Sequence, residues 1–495
     1  MSSSLRPYTI AALAELGPAR ERAQLVVVGD DRAARDLAAD LRAWLAPRRV
    51  RYYPSRGVTY ESHLVPPPHL VGLRMAALDA LLGDARGGGA GRDGGTGGGD
   101  DGHPVVVVSA VALSEKVPDP ALRPHSFTLR TGELLDLDEC ALELIGAGYE
   151  RVDQVEERGQ FAMRGGLLDV FPATEERAVR VDMFDVEIES LRWFSTFTQR
   201  SLGEVDAVEI APAAELAEEH RALAAIAGEE LAAGAGGERD GEARPDIAEL
   251  LPVDRFGALL DLVDESTEVL VAAEEELPPA LSDHWSDVCA AFGDDDAHHL
   301  YVSPDEVSSA ISRRARIWLS AISADQPIQL RAQSADTAAR SLAEAEPELE
   351  RLVRSGYRTV VAFPRRGEGE RAAYNLGGLK ATWLGEDVDA GRSPQEPSLR
   401  FAAASLREGF VAPTLKLAVF PEHRLLRRRR AGRPSIGRGG ADRARDGGRG
   451  GARRGALRSF AELRAGDIVV HEDHGVARFA GFETRTVANV TRDYL

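Results

Sequence analysis

Residues 148–213 read GYERVDQVEERGQFAMRGGLLDVFPATEERAVRVDMFDVEIESLRWFSTFTQRSLGEVDAVEIAPA. In this stretch the apolar residues form short runs with a two-residue period, and glycine, proline and acidic residues separate the runs. Such spacing is typical of several short strands that form one small sheet. We therefore expect a small sheet-containing domain here, around which the other parts of the chain are arranged.

The alternation is clearest on residues 178–184, where successive side chains point to opposite faces of the predicted strand. One face holds Val179, Val181 and Met183, and the other holds Arg180, Asp182 and Phe184. The first set predicts a core face. The second set, together with Arg164 on the preceding strand, has the composition of an interaction hot spot. The alternative is an arginine and an aspartate that pair across strands beside a partly covered phenylalanine, and the pattern alone leaves both interpretations open.

A longer series of residues carries a resemblance to a known domain. The series comprises Tyr149, Val152, Val155, Gly159, Phe161, Arg164, Gly165, Asp169, Phe171, Pro172, Arg180, Asp182, Phe184, Asp185, Glu187, Ile188, Ser190, Leu191, Arg192, Phe194, Gln199 and Arg200. In this order it resembles the UvrA-binding domain shared by the excision-repair protein UvrB and the transcription-repair coupling factors. The resemblance implies that UvrA is a partner and that Arg164, Arg180 and Phe184 contact it.

The composition limits the class of protein. The chain has 495 residues, of which 43% are hydrophobic, and this is enough for about three or four domains with separate cores. Its two cysteines, Cys140 and Cys289, are far apart in sequence, which argues against a disulfide scaffold or a zinc site and fits a reducing cytoplasm. The first residues are too polar for a signal peptide, and no apolar run is long enough for a membrane span. We expect a cytoplasmic protein without membrane contact.

Residues 24–45 read as a buried strand, a turn and an amphipathic helix, which is how a parallel α/β unit begins. A nucleotide-binding motor would continue this strand with GxxxxGK[ST], whose backbone amides and lysine hold phosphates. The chain instead has two carboxylates there, in Gly29-Asp30-Asp31-Arg32-Ala33. We expect no ATP site, no catalytic residue, and no cofactor or metal in this chain. This absence favours the coupling factors, which carry a degenerate copy of the fold, over UvrB, which keeps the phosphate loop.

The resemblance implies a multidomain α/β protein. Its parts are a degenerate P-loop-NTPase-like (UvrB-like) α/β domain with an inserted small α+β UvrA-binding domain, a small α/β domain, and the beginning of a Tudor/SH3-like β-barrel. The predicted boundaries are 1–126 and 214–325 for the two halves of the degenerate domain, 127–213 for the insertion, 326–426 for the small α/β domain, 427–456 for a linker and 457–495 for the barrel. Glycine-rich segments at 83–102 and 228–246 predict flexible surface loops.

Charge is distributed unevenly along the chain. The net charge of -20 disfavours nonspecific DNA binding, yet arginines are concentrated in residues 424–458. Residues 427–454 are rich in arginine and glycine and have too few apolar residues for a core. We interpret this segment as a linker. The alternative is a nonspecific contact with nucleic-acid phosphates, whose strength falls steeply with salt.

Residues 463–484 read LRAGDIVVHEDHGVARFAGFET, which predicts strands at 468–470 and 476–482 joined by a turn at 473–475. The segment resembles the opening hairpin of the RNA-polymerase-interacting module shared by coupling factors and CarD regulators. The resemblance implies the β subunit of RNA polymerase as a partner. The motif residues that match are Gly466, Asp467, His471, His474 and Gly475. The two histidines are one residue short of the zinc-binding HExxH spacing, so we expect no zinc, and we expect the chain to stop inside this module.

Together the resemblances imply the N-terminal part of a factor for transcription-coupled nucleotide excision DNA repair. In that family the full protein recognises RNA polymerase stalled at DNA damage, displaces it with an ATP- and Mg²⁺-dependent DNA translocase, and recruits UvrA. We expect this chain to supply the interactions and not to hydrolyse ATP by itself, with DNA bound mainly by regions beyond residue 495. The alternatives are a UvrB-like damage-verification protein, which would need a phosphate loop, and a CarD-like transcription regulator, which would need a complete barrel.

Overall fold

A computed structural model describes the chain at residues 1–57, 66–82, 103–196, 198–218, 220–221, 252–292, 294–321, 328–335, 337, 339, 341–385, 395–426, 468–471, 475–478, 483–487 and 490–494. The predicted loops at 83–102 and 228–246 and the linker at 427–456 lie outside these residues. The chain forms two compact units, Met1–Arg427 and Arg428–Leu495. Within the described part, no helix has the length and apolar character needed to cross a membrane.

The first sheet has five parallel strands in the order β15-β14-β1-β3-β2. The strands are β1 (Gln24–Val28), β2 (Val50–Tyr53), β3 (Val105–Ser109), β14 (Glu268–Val271) and β15 (Ala315–Trp318). Continuous valine-rich runs form β1 and β3 because a parallel sheet is buried on both faces. The strand and helix predicted in residues 24–45 are therefore confirmed as β1 and α2 (Asp31–Leu45).

Helices cover both faces of this sheet. On one face lie α1 (Arg6–Ala14) and α2 (Asp31–Leu45). On the other face lie α3 (Pro68–Leu82), α4 (Ala110–Ser114), α6 (Leu259–Leu262), α7 (Leu277–Phe292) and α9 (Pro304–Arg314), while α8 (Asp294–Leu300) packs in a satellite core. Residues 274–276 form a short 3₁₀ turn that leads into α7.

An inserted domain lies between β4 (Val117–Pro118) and its partner β13 (Phe256–Gly257). Its sheet has six strands in the order β11-β10-β9-β8-β7-β6. These are β6 (Glu150–Arg151), β7 (Gln160–Arg164), β8 (Leu167–Val170), β9 (Ala178–Phe184), β10 (Glu187–Phe194) and β11 (Ser201–Val205). A separate pair, β5 (Phe127–Arg130) and β12 (Ala207–Ile210), carries the chain into and out of the domain.

The inner face of the six-stranded sheet is a core face, as the alternation predicted. Val179 and Val181 are fully buried with Phe161, and they pack in one cluster with Cys140 and Leu144 of α5 (Leu137–Gly146). Met183 packs against the same cluster. Helix α5 therefore covers the inner face and leaves the outer face to other contacts.

A third sheet has the order β16-β20-β21-β17-β19-β18 and forms a small α/β layer. Its strands are β16 (Gln333–Ser334), β17 (Arg358–Phe363), β18 (Ala381–Trp383), β19 (Leu399–Ala403), β20 (Phe410–Ala412) and β21 (Leu417–Pro421), with helices α10 (Leu342–Arg354), α11 (Arg366–Ala373) and α12 (Glu422–Leu425). Phe410 packs against Tyr8 and Trp44, which joins this layer to α1 and α2.

The second unit contains two antiparallel hairpins in its described residues. The first pairs β22 (Ile468–His471) with β23 (Gly475–Arg478), and the second pairs β24 (Glu483–Val487) with β25 (Val490–Tyr494). The first hairpin confirms the strand predicted at 468–470 and the first part of the strand predicted at 476–482, of which residues 479–482 lie outside the described residues.

The inserted domain joins the first sheet through a buried charge cluster of Arg56, Arg74, Glu115 and Glu215. Arg74 and Glu115 are 0% exposed, and Arg74 Nη1 donates to Glu115 Oε2 at 2.7 Å. Arg56 Nε donates to Glu215 Oε2 at 2.8 Å, and Arg74 Nε donates to the other oxygen of Glu215. Glu215 lies a short way after β12 (Ala207–Ile210), the strand through which the chain leaves the inserted domain. The cluster therefore fixes this end of the inserted domain to the α/β layer of the first sheet.

Burial alone would raise the pKa of the Glu215 carboxyl, but the charges of Arg56 and Arg74 and their hydrogen bonds outweigh burial and lower this pKa to about 2. The folded pKa is below the usual value of 4.5. Glu215 therefore stabilises the fold fully above pH 4.5, and this stabilisation is lost as the pH falls toward 2.

We expect Glu215→Gln to lower the free energy of unfolding at pH 7 by roughly 3–5 kcal/mol, because two buried arginines lose their shared counter-charge. Urea denaturation measures this value. Glu209→Gln is the matched control, since Glu209 pairs with Arg51 in a more exposed position and should cost at most about 1 kcal/mol. The difference between wild type and Glu215→Gln should shrink as the pH falls below about 4.5. A pH-independent difference would contradict the assignment.

Candidate protein-binding face of the inserted sheet

The outer face of the inserted sheet brings the three predicted UvrA-contact residues onto one surface. Strand register sets lateral rows of side chains, because directly opposed residues of antiparallel strands point to the same face. One row contains Ala162, Asp169, Arg180, Arg192 and Glu204, and the next contains Arg164, Leu167, Asp182 and Ser190. Phe184 begins a third row opposite Glu187.

Arg180 lies in the middle of this face and is held by several contacts. Its Nε and Nη2 atoms donate to the two carboxylate oxygens of Asp169, both at 2.7 Å. The guanidinium carbon lies 4.7 Å from the ring centroid of Phe194, which is buried beneath it. The hydrogen bond to Asp169 raises the pKa of Arg180 further above its ordinary value. Arg180 therefore presents a fixed, half-buried cation to the surface.

Arg164 and Phe184 are freer than Arg180. Arg164 is exposed at the end of β7, where its Nη2 donates to the backbone carbonyl of Asp153. Phe184 is 72% exposed at the end of β9. The two open interpretations of the sequence thus describe different residues: the arginine pairs across strands, whereas the phenylalanine is uncovered.

A second ion pair on this face, Arg192 with Asp182, was not predicted from the sequence. Asp182 Oδ2 accepts hydrogen bonds from Arg192 Nε at 3.0 Å and from Ser190 Oγ at 3.0 Å. The alternation of residues 190, 192 and 194 could have placed Arg192 on this face. However, a bulge between Ile188 and Ser190 shifts the alternation partway along β10, so the sequence pattern does not assign one face over the full length of the strand.

The predicted polymerase-contact residues are only partly described. His471 and Gly475 are directly opposed at the ends of β22 and β23. Gly466, Asp467 and His474 lie outside the described residues, so their contact with polymerase stays a prediction.

The turn after β1 stands where a nucleotide-binding motor has its phosphate loop, and here it is filled by acidic side chains. Asp30 caps α2 by accepting from Ala33 N at 2.7 Å. Asp31 accepts from Ser109 Oγ at 2.7 Å and from Ser55 N at 3.1 Å. A Cβ placed on Gly29 would lie 2.8 Å from the Cβ of Glu276. The 3₁₀ turn at residues 274–276 therefore packs directly against the turn after β1. Carboxylates therefore accept from one backbone amide at the start of α2 and from donors of the neighbouring residues Ser55 and Ser109.

Two segments of the chain match known protein families. Residues 127–216 match the family described as the UvrB interaction domain, and residues 463–495 match the CarD-like/TRCF RID domain. The first match contains the whole six-stranded sheet with its outer face.

The chain is also similar over its full length to curated relatives. It is 29% identical over 542 residues to the transcription-repair-coupling factor of Mycobacterium bovis, covering 100% of this chain and 41% of the relative. The coupling factor of Bacillus subtilis is 24% identical and covers 93% of this chain, which matches 40% of that relative. A coupling factor of Staphylococcus aureus is 24% identical, with 96% of this chain and 41% of the relative covered. The chain therefore spans about two fifths of the length of these relatives.

We expect Arg180 and Asp169 to be energetically coupled, because each loses its counter-charge when the other is removed. In a double-mutant cycle of Arg180→Ala and Asp169→Ala, urea denaturation should give a coupling free energy of about 1 kcal/mol. The exposed pair Arg351 and Glu348, 3.4 Å apart, is the control and should give a value near zero. Additive effects at Arg180 and Asp169 would mean that the pair does not form in solution.

Proposed function

We propose that this chain is a recruitment segment in transcription-coupled nucleotide excision DNA repair. It binds UvrA through the outer face of the inserted sheet, and it engages the β subunit of RNA polymerase through the second unit. The observation that carries the proposal is the exposed Phe184, which shares with Arg164 and Arg180 the outer face of the matched UvrB interaction domain. A large uncovered aromatic on one face with arginines has the composition of binding hot spots.

The similarity of the whole chain to coupling factors favours this function over a UvrB-like damage-verification enzyme. We propose that the five-stranded parallel sheet is a degenerate P-loop-NTPase-like fold whose phosphate site has been replaced by Asp30 and Asp31. The second unit is, in this proposal, the start of a Tudor/SH3-like barrel. ATP hydrolysis with Mg²⁺, and most DNA contact, belong to the remaining part of the coupling factors.

Electrostatics supports a division of roles on the outer face. Arg180 is pre-ordered by Asp169 and Phe194, so its ordering on binding costs little conformational entropy. Arg164 and Phe184 are exposed and supply the area that a partner can cover. Arg180→Ala should weaken UvrA binding by about 1 to 3 kcal/mol, part of which comes from the unpaired Asp169.

We expect Phe184→Ala and Arg164→Ala each to weaken UvrA binding by about ten-fold, because each removes an exposed contact without disturbing the core. Isothermal titration of UvrA into the complete 495-residue chain measures the Kd. Tyr374→Ala and Arg351→Ala are matched controls, since Tyr374 is 91% exposed and Arg351 is 74% exposed elsewhere in the first unit. Unchanged affinity in the first two variants would move the binding surface elsewhere, and no binding by the folded wild type would reject the proposed function.

We expect MgATP to leave the Tm of the chain unchanged, because the carboxylates of Asp30 and Asp31 repel phosphate and occupy the amide and hydroxyl donors near the turn. A ligand that bound the folded state would raise the Tm, and the rise would grow with the logarithm of the ratio of its concentration to its Kd. Differential scanning calorimetry with about 1 mM MgATP, compared with Mg²⁺ alone, measures the shift. A rise in Tm with MgATP only would show that a nucleotide site exists.

A further inference from the structure

The outer face continues past Phe184 onto a segment outside the six-stranded sheet. Glu187 lies opposite Phe184 in the β9–β10 hairpin, and Leu134 lies opposite Glu187 in an antiparallel bridge. Directly opposed residues share a face, so these three side chains form one lateral row. The row is held by backbone hydrogen bonds from Leu135 N to Val186 O at 2.7 Å and from Ile188 N to Glu133 O at 2.9 Å.

This row is unusually apolar for an exposed edge. Leu134 is 71% exposed, Phe184 is 72% exposed, and Val186 in the adjoining turn is 51% exposed. The neighbouring Leu135 packs against the inner core, so the core gains nothing from Leu134. Single exposed leucines are common, but several large apolar side chains exposed at one edge among polar residues mark interaction sites.

A tight turn brings Val186 to the same edge. Asp185 and Val186 form the two-residue loop between β9 and β10, and Asp185 has a φ of 57°, in the left-handed region that aspartate tolerates. Val186 is 51% exposed at the tip of this turn, next to Phe184 and Glu187 in the chain. The turn therefore presents a third apolar side chain to solvent at this edge.

We propose that Leu134 and Val186 extend the UvrA contact, so that the binding surface runs from Arg164 through Phe184 to Leu134. This inference rests on the proposed function and commits to UvrA as the occupant, because the row is continuous with the face assigned to UvrA. The partner surface is apolar opposite Leu134 and Phe184 and carries a basic group opposite Glu187, which lies between them. The six-stranded sheet therefore supplies only part of the interface.

The test compares UvrA binding by the complete chain and its Leu134→Ser variant. We expect Leu134→Ser to weaken the Kd about ten-fold and Leu134→Met to retain wild-type affinity, because methionine preserves the apolar contact. Val186→Thr should weaken binding about three-fold. Leu142→Ser is the matched control: Leu142 is also 71% exposed, but it lies on α5, which covers the opposite face of the sheet. Thermal melts of each variant check that the fold is intact.

Weakened binding in Leu134→Ser with unchanged binding in Leu142→Ser supports the extended surface. If Leu134→Ser binds like wild type while Phe184→Ala binds weakly, the extension is wrong and the proposed function stands. Equal weakening in the two serine variants would also overturn the extension, since the effect would not be local to this row. Absence of binding by folded wild-type chain would instead reject the proposed function, and the extension with it.

Discussion

The burial of Arg56, Arg74, Glu115 and Glu215 is the constraint on which the arrangement of the first unit depends. Removing an ion from water costs several kcal/mol, so these groups are tolerated only when all of them meet in good geometry. They come from segments after β2, on α3, after α4 and after β12. A structure in which one segment moved away would leave a buried charge without its counter-ion. The cluster therefore selects one placement of the inserted domain on the parent layer.

The charges on the outer face act differently. The pair of Arg180 and Asp169 keeps 24% and 14% of its side-chain surface exposed, so its desolvation cost is smaller and its contribution to stability is modest. Its main effect is to hold Arg180 in one conformation above Phe194. Buried ion pairs fix the domain, whereas half-exposed pairs arrange the surface that the domain presents.

The sequence predicts some of these features well and others not at all. The strand at the start of residues 24–45 and the strand with its core face on residues 178–184 could be predicted, because burial on two faces or on one face imposes those patterns. The partner of Arg56 could not be predicted, since Glu215 is 159 residues away and only the fold brings them together. Leu134 gave no signal because its segment has no strand period and pairs with β10 only through an isolated bridge. Similarly, alternation assigns Arg180 to a face but does not say that Asp169 holds it.

One further feature concerns how α3 meets the inserted domain. A Cβ at Gly72 would lie 2.5 Å from the Cβ of Ala173, and a Cβ at Gly159, whose φ is +81°, would lie 2.9 Å from the Cβ of Pro68. His69 Nδ1 donates to the carbonyl of Ala173 at 2.9 Å in the same contact. At both glycines the main chain therefore packs directly against a compact side chain, Ala173 or Pro68, and such close packing resists compression and sliding. A protein bound to the outer face would therefore keep a fixed orientation relative to the five-stranded sheet. Binding at this face sets the orientation of the partner as well as its distance from the sheet.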